Sequence, residues 1–209
     1  MSDYSGFNIA MFGTNGTGKS TWMKNLLNKY PKRNCLVIMD DDSETMWDYL
    51  TEIQPEEIPY FKGKAVCFAG VNKKEVASTF DTIYNGFGVN YKTGEHEGGL
   101  LCFDDAMTVF STRDEHAMPI FKKRRQRKLD IVLNCHGFSE FPISLIKNMT
   151  HFIICRTTDS YDNISKRLNK EMAEQLKKII EHVNEKTKTD KYYHFVFDMR
   201  EPSNNKINF

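Results

Sequence analysis

The chain is 209 residues long, with 40% hydrophobic and 27% charged residues. At about 100 to 200 residues per domain, this predicts one compact domain over residues 1–209 and excludes a multidomain machine. Lys plus Arg number 29 against 28 Asp plus Glu, so the formal net charge of +1 excludes a protein held to nucleic acid by total charge and leaves only a local basic contact. Five cysteines, Cys35, Cys67, Cys102, Cys135 and Cys155, lie in or beside apolar runs without a C-x-x-C spacing, which predicts buried thiols in a reducing compartment. The apolar runs fall far short of the ~20 residues of a membrane span and no signal-peptide pattern opens the chain, so a soluble intracellular protein is expected.

Short apolar runs alternate with helical or polar stretches, the pattern of a mostly parallel sheet buried between helices. The first run covers residues 7–12 (FNIAMF). Gly13-Thr14-Asn15-Gly16-Thr17-Gly18-Lys19-Ser20 follows it and satisfies G-x-x-x-x-G-K-S/T, the phosphate-binding P-loop or Walker A motif. Glycines at 13, 16 and 18 let successive backbone N–H groups converge on phosphates, while the next helix points its N-terminus at the same charge. These residues with Thr21 form the expected ATP site, in which Lys19 bridges the β- and γ-phosphates and Ser20 ligates Mg²⁺. Trp22, Met23, Leu26, Leu27 and Tyr30 then make a helical stripe that Pro31 ends.

A second strand, residues 35–39, runs into Asp40-Asp41-Asp42, at the strand end where ligand sites of open α/β sheets gather. Mutual repulsion predicts one functional carboxylate there and two solvated ones. A third strand is expected at residues 65–69, and a helix carries Val76, Phe80, Ile83 and Tyr84. Residues 86–99 hold five glycines without periodicity and predict an exposed, mobile loop.

The apolar run at residues 100–103 ends in Asp104-Asp105, a Walker B pattern. Asp104 is placed to hold the Mg²⁺ hydration shell, and Asp105 to polarise the attacking water as general base. Residues 122–128 (KKRRQRK) put six cations in seven positions; without them 23 basic residues face 28 acidic ones, a balance of −5. Such a run is a solvated helix end, a contact to DNA backbone, or the source of an arginine finger aimed at a neighbouring subunit's nucleotide. The strand at residues 131–134 leads to Cys135-His136-Gly137, where His136 is placed to touch the γ-phosphate. A further strand is expected at residues 151–155. One packing helix is expected through Ile164, Leu168, Met172, Leu176, Ile179, Ile180 and Val183, then an edge strand at residues 192–197.

The order of P-loop, strand ending in Asp40, strand ending in Asp104-Asp105, helix with Arg125 and polar-tipped strand resembles the FtsK/HerA superfamily. The likeness is strongest to the compact genome-packaging ATPases of tailless icosahedral viruses with an internal membrane. It covers about residues 7–155, with Arg125 at the family's arginine position and His136 at its sensor position. Asp105 stands where the family usually has Glu, and His136 where it usually has Gln. The resemblance implies a RecA-like α/β core and a Mg²⁺-dependent ATPase that moves double-stranded DNA through a homo-oligomeric, hexameric ring. It also implies a capsid or portal partner, in host cytoplasm or at a packaging vertex of the virion. Three other readings stay open: a small P-loop kinase with the basic run as its lid, a nucleotide-dependent switch, and a filamentous-phage-type assembly ATPase, whose usual membrane span is not found.

Overall fold

The computed structural model of the chain describes residues 6–31, 34–39, 45–105, 116–139, 141–201 and 205. Asp40, Asp41 and Asp42, expected to contribute a functional carboxylate, lie outside the described residues.

Among the described residues, eight strands form one sheet: β1 (Asn8–Phe12), β2 (Cys35–Met39), β3 (Thr51–Glu52), β4 (Lys64–Phe68), β5 (Gly99–Phe103), β6 (Leu129–Cys135), β7 (His151–Ile154) and β8 (Phe195–Asp198). They lie in the order β3-β4-β2-β5-β6-β1-β7-β8. Every pairing is parallel except that of β8 with β7. Among the described residues the α-helices are α1 (Lys19–Lys29), α2 (Lys73–Gly86), α3 (Ala117–Lys123), α4 (Ile143–Ile146), α5 (Tyr161–Ser165) and α6 (Lys170–Lys186).

Two apolar layers cover the sheet, and alternate strand residues feed one or the other. Ala10, Phe12, Leu36, Ile38, Leu101, Phe103, Leu133 and Cys135 join one layer with Phe80 and Ile83 of α2 and Leu176 and Ile179 of α6. Ile9, Met11, Val37, Cys102 and Val132 join the other with Met23 and Leu27 of α1. Burial on both faces explains why the strands read as unbroken apolar runs. All five cysteines are buried, as expected, and none forms a disulfide.

The structure corrects one helix expectation, refines one loop and adds one strand. The long stripe from Ile164 to Val183 is two helices, because the Asn169 side chain accepts a hydrogen bond from Met172 N and starts α6 afresh. Within residues 86–99, Tyr91 to Glu95 are exposed as expected, and backbone bonds from Asn90 N to Glu95 O and from Glu97 N to Gly88 O, with Val89 bridged to His96, add local structure that the lack of periodicity did not show. The two-residue edge strand β3 is too short to show in the sequence pattern.

Candidate nucleotide site

The two-residue period of the strands decides which polar side chains meet. In β5, Leu100 and Cys102 face α1, so Asp104, two positions on, faces it too. In β6, Val132 faces α1 and Asn134 follows on the same side. β5, β6 and β1 are neighbours. Asp104 and Asn134 therefore reach the loop that joins β1 to α1.

That loop is the P-loop. Gly16 (φ 73°) and Gly18 (φ 89°) adopt left-handed backbone, which side chains with a Cβ disfavour, and Gly18 forms the N-cap of α1. The loop is pinned to its neighbours by hydrogen bonds from Gly13 N to Cys135 O (3.3 Å) and from Thr14 N to Arg156 O (2.9 Å). Thr17 Oγ1 closes the curve by donating to Thr14 O at 2.9 Å. Lys19 is buried and donates to the carbonyls of Gly13 (2.6 Å) and Thr14 (3.1 Å). Burial lowers its pKa from the ordinary lysine value, opposed by Cys155, Cys135, Asp105 and Asp104. Burial also pushes the neighbouring Cys155 thiol up to about 11, so it is protonated at neutral pH.

The Asp104 carboxylate, 4% exposed, gathers donors from three elements. Oδ1 accepts from Ser20 Oγ (3.2 Å) and from Asn134 Nδ2, which also donates to Ser20 Oγ at 3.1 Å. Oδ2 accepts from the indole N–H of Trp47 at 2.8 Å. Trp47, 1% exposed, lies in a short 3₁₀ turn, Thr45–Trp47. Beside this group Asp105 takes a left-handed conformation (φ 47°), and its Oδ2 lies 2.7 Å from His136 Nε2, just past the end of β6. A cleft of about 360 Å³ opens above, lined by residues 15–21 together with Asp104, Asp105, Asn134 and His136. Its volume falls within the ~300–1,000 Å³ typical of small-molecule sites.

The structure thus brings together every described site residue expected from the sequence except Arg125. Arg125 is exposed in the turn before β6, at the amino end of a seven-residue strand whose other end bears Asn134. At ~3.3 Å per residue, that places it about 20 Å or more from its own P-loop. The basic run is not one solvated patch. Arg124 is buried, and the guanidinium of Arg127 stands 4.1 Å from the Tyr84 ring centroid, with Lys123 Nζ at 5.6 Å. Sequence reasoning missed Trp47 and Asn134. Asn134 was discoverable from the alternation in β6, whereas nothing near Trp47 in the sequence links it to Asp104.

Among solved structures, the genome packaging NTPase B204 from Sulfolobus turreted icosahedral virus 2, in complex with AMP, matches with a TM-score of 0.70 at 16% identity. The match covers 98% of this chain and 98% of that one. B204, described as the DNA-packaging ATPase from Sulfolobus turreted icosahedral virus, matches with a TM-score of 0.65 at 16% identity over 94% of each chain. EccC (ATPases 2 and 3) of Thermomonospora curvata reaches 0.50 at 13% identity, covering 77% of this chain and 31% of that one. At these identities the likeness shows the fold: this sheet is that of the packaging NTPases. No curated protein sequence matches the chain. A family model described as Poxvirus A32 protein matches residues 3–199, nearly the whole length, and the chain belongs to that family.

Proposed function

We propose that the chain is an ATP-hydrolysing motor of the FtsK/HerA type that packages a viral genome, working on double-stranded DNA with Mg²⁺-ATP. The observation that carries this reading is the P-loop facing the Asp104–Ser20–Asn134 group, in a chain of the Poxvirus A32 family whose sheet is that of packaging NTPases. The name of B204 states genome packaging of that protein, and its complexes with AMPPCP and ATP-gammaS support a nucleotide in the corresponding cleft here.

The residues fit Mg²⁺. Ser20 Oγ and Asp104 Oδ1 lie 3.2 Å apart and are hard oxygen donors, and Mg²⁺ characteristically takes one or two protein oxygens with phosphates and water. Bound there, Mg²⁺ would neutralise charge developing on the β- and γ-phosphates. Lys19 leaves its loop carbonyls for the phosphates, an exchange eased because an ammonium held by neutral carbonyls gains more from an anion. Asn134 and Trp47 hold the Asp104 carboxylate in one orientation. Asp105, held by His136, faces the cleft as the base that takes a proton from the attacking water, with His136 able to carry that proton onward.

Arg125 is too far to serve its own cleft. Its place at the opposite end of the sheet favours a role in trans, completing the site of the next subunit in a ring, for which the family resemblance suggests six copies and a capsid or portal anchor. The same geometry disfavours a kinase, since a basic run at the amino ends of the strands is not a lid over the P-loop of its own chain. DNA contact through the exposed cations Lys122 and Arg125 gives salt-sensitive, sequence-tolerant binding. Among the described residues no helix is long and apolar enough to cross a membrane, which the membrane-anchored assembly ATPases usually need.

The test is ATP turnover by the purified chain. Turnover that requires Mg²⁺ and disappears in Lys19→Ala supports the reading. Unchanged turnover in Lys19→Ala refutes the assignment of the cleft.

A further inference from the structure

The order of the strands gives the cleft a direction. Asp104, Asp105, Asn134 and His136 belong to β5 and β6 or their ends, on one side of β1, while β7 and β8 lie on its other side. A P-loop lysine reaches the β- and γ-phosphates and the loop backbone cradles the rest. The γ-phosphate end of a bound nucleotide therefore faces β5 and β6, and the nucleoside end leaves the loop toward β7 and β8.

A large exposed ring stands on that side. β8 runs antiparallel to β7, with Phe195 opposite Ile154, so the turn before β8 is carried back to the carboxyl end of the sheet, beside the P-loop. Tyr192, in that turn, is 58% exposed. Its Cδ1 lies 2.9 Å from where a Cβ on Gly18 would stand, which places the ring against the left-handed glycine that opens α1. The turn is fixed from below: Tyr192 N donates to Asp190 Oδ1 (3.1 Å), Tyr193 N donates to Asp190 O (2.9 Å), and the Tyr193 hydroxyl lies 3.2 Å from His182 Nε2 on α6. The bonded turn thus presents a fixed aromatic face to solvent beside the P-loop. Lys191 Nζ stands 5.4 Å from the same ring and adds a cation beside it.

We propose that Tyr192 is the nucleobase platform of this site: the purine of ATP lies on its ring once the phosphates enter the P-loop. The inference rests on the nucleotide-site reading above and deepens it. Stacking on an aromatic face recognises a π-surface, not a hydrogen-bond pattern, so the site accepts adenine and guanine with little distinction and pyrimidines less well. Gly18 is thereby required twice, by its φ and by the ring that fills the place of a side chain.

The experiment is calorimetric binding of ATP and of tripolyphosphate to the wild-type chain, Tyr192→Ala and Tyr192→Phe. Stacked bases lose about 5- to 150-fold in affinity when the aromatic partner is truncated to alanine. Tyr192→Ala should weaken ATP by an amount in that range and leave tripolyphosphate unchanged, and Tyr192→Phe should bind both as the wild type does. The wild type should prefer ATP and GTP over CTP and UTP, and Tyr192→Ala should lose that preference. ATP affinity unchanged in Tyr192→Ala overturns the platform while the nucleotide-site reading stands. Equal losses for ATP and tripolyphosphate also overturn it, since the ring would then act on the loop and not on the base. A wild-type chain that binds neither ligand overturns the nucleotide-site reading itself, and the platform with it.

Discussion

Trp47→Phe isolates the least expected contact of the site. The substitution keeps an aromatic ring in the same buried place but removes the N–H that donates to Asp104 Oδ2 at 2.8 Å. A hydrogen bond to a charged acceptor contributes about 1.5–3 kcal/mol. The smaller ring also leaves a void of roughly 40 Å³, which at ~24 cal/mol per Å³ costs about 1 kcal/mol. The expected loss is about 2.5–4 kcal/mol of unfolding free energy, a large part of the ~5–15 kcal/mol of an ordinary domain, and about 5–15 °C in Tm for a chain of this size. Urea unfolding of Trp47→Phe, Asp104→Asn and the double variant separates the two terms, because the void is present whether or not the carboxylate is. The cycle should show a coupling of about 1–3 kcal/mol. Additivity within about 0.5 kcal/mol would refute the bond as an energetic link and leave Trp47 as packing alone.

Two further variants examine the chemistry. Asp105→Asn should keep the local backbone, because asparagine tolerates the left-handed conformation seen at φ 47°. It should bind ATP within about twofold of the wild type yet lose about 10²- to 10⁴-fold in hydrolysis, read by steady-state phosphate release. Intact hydrolysis would remove Asp105 from the base role and favour a different water-activating group. For Arg125, mixing Arg125→Ala with Lys19→Ala chains should restore part of the hydrolysis that each lacks alone, since one kind of mixed interface then joins an intact P-loop to an intact arginine. Absence of rescue would contradict a role in trans.

The P-loop and the six central strands were legible because each is a contiguous pattern: an apolar run for a strand buried on both faces, and glycines at the spacing phosphates demand. Asp104 was legible from its place at the end of such a run. What joins these pieces was less so. Asn134 reads as the fraying end of an apolar strand until the alternation of Val132 and Leu133 is followed through it, and the more conspicuous His136 draws attention although it bonds Asp105. Trp47 lies 57 positions before Asp104 in a stretch without periodicity, so only the folded chain brings the two together. The break at Asn169 was hidden because the apolar stripe continues across it while the backbone does not. The basic run looked uniform in sequence, yet it divides into a buried arginine, cations stacked on Tyr84 and an exposed remainder, a division set by α2 packing against α3 and invisible to charge counting.

The most direct measurement of the central claim is ATP hydrolysis by the purified chain with and without double-stranded DNA, with particle mass determined by light scattering in the same buffer and Lys19→Ala as control. A packaging motor predicts a ring-sized particle whose turnover rises with DNA and vanishes in the control. A monomer whose turnover ignores DNA but follows a small phosphate acceptor would contradict it.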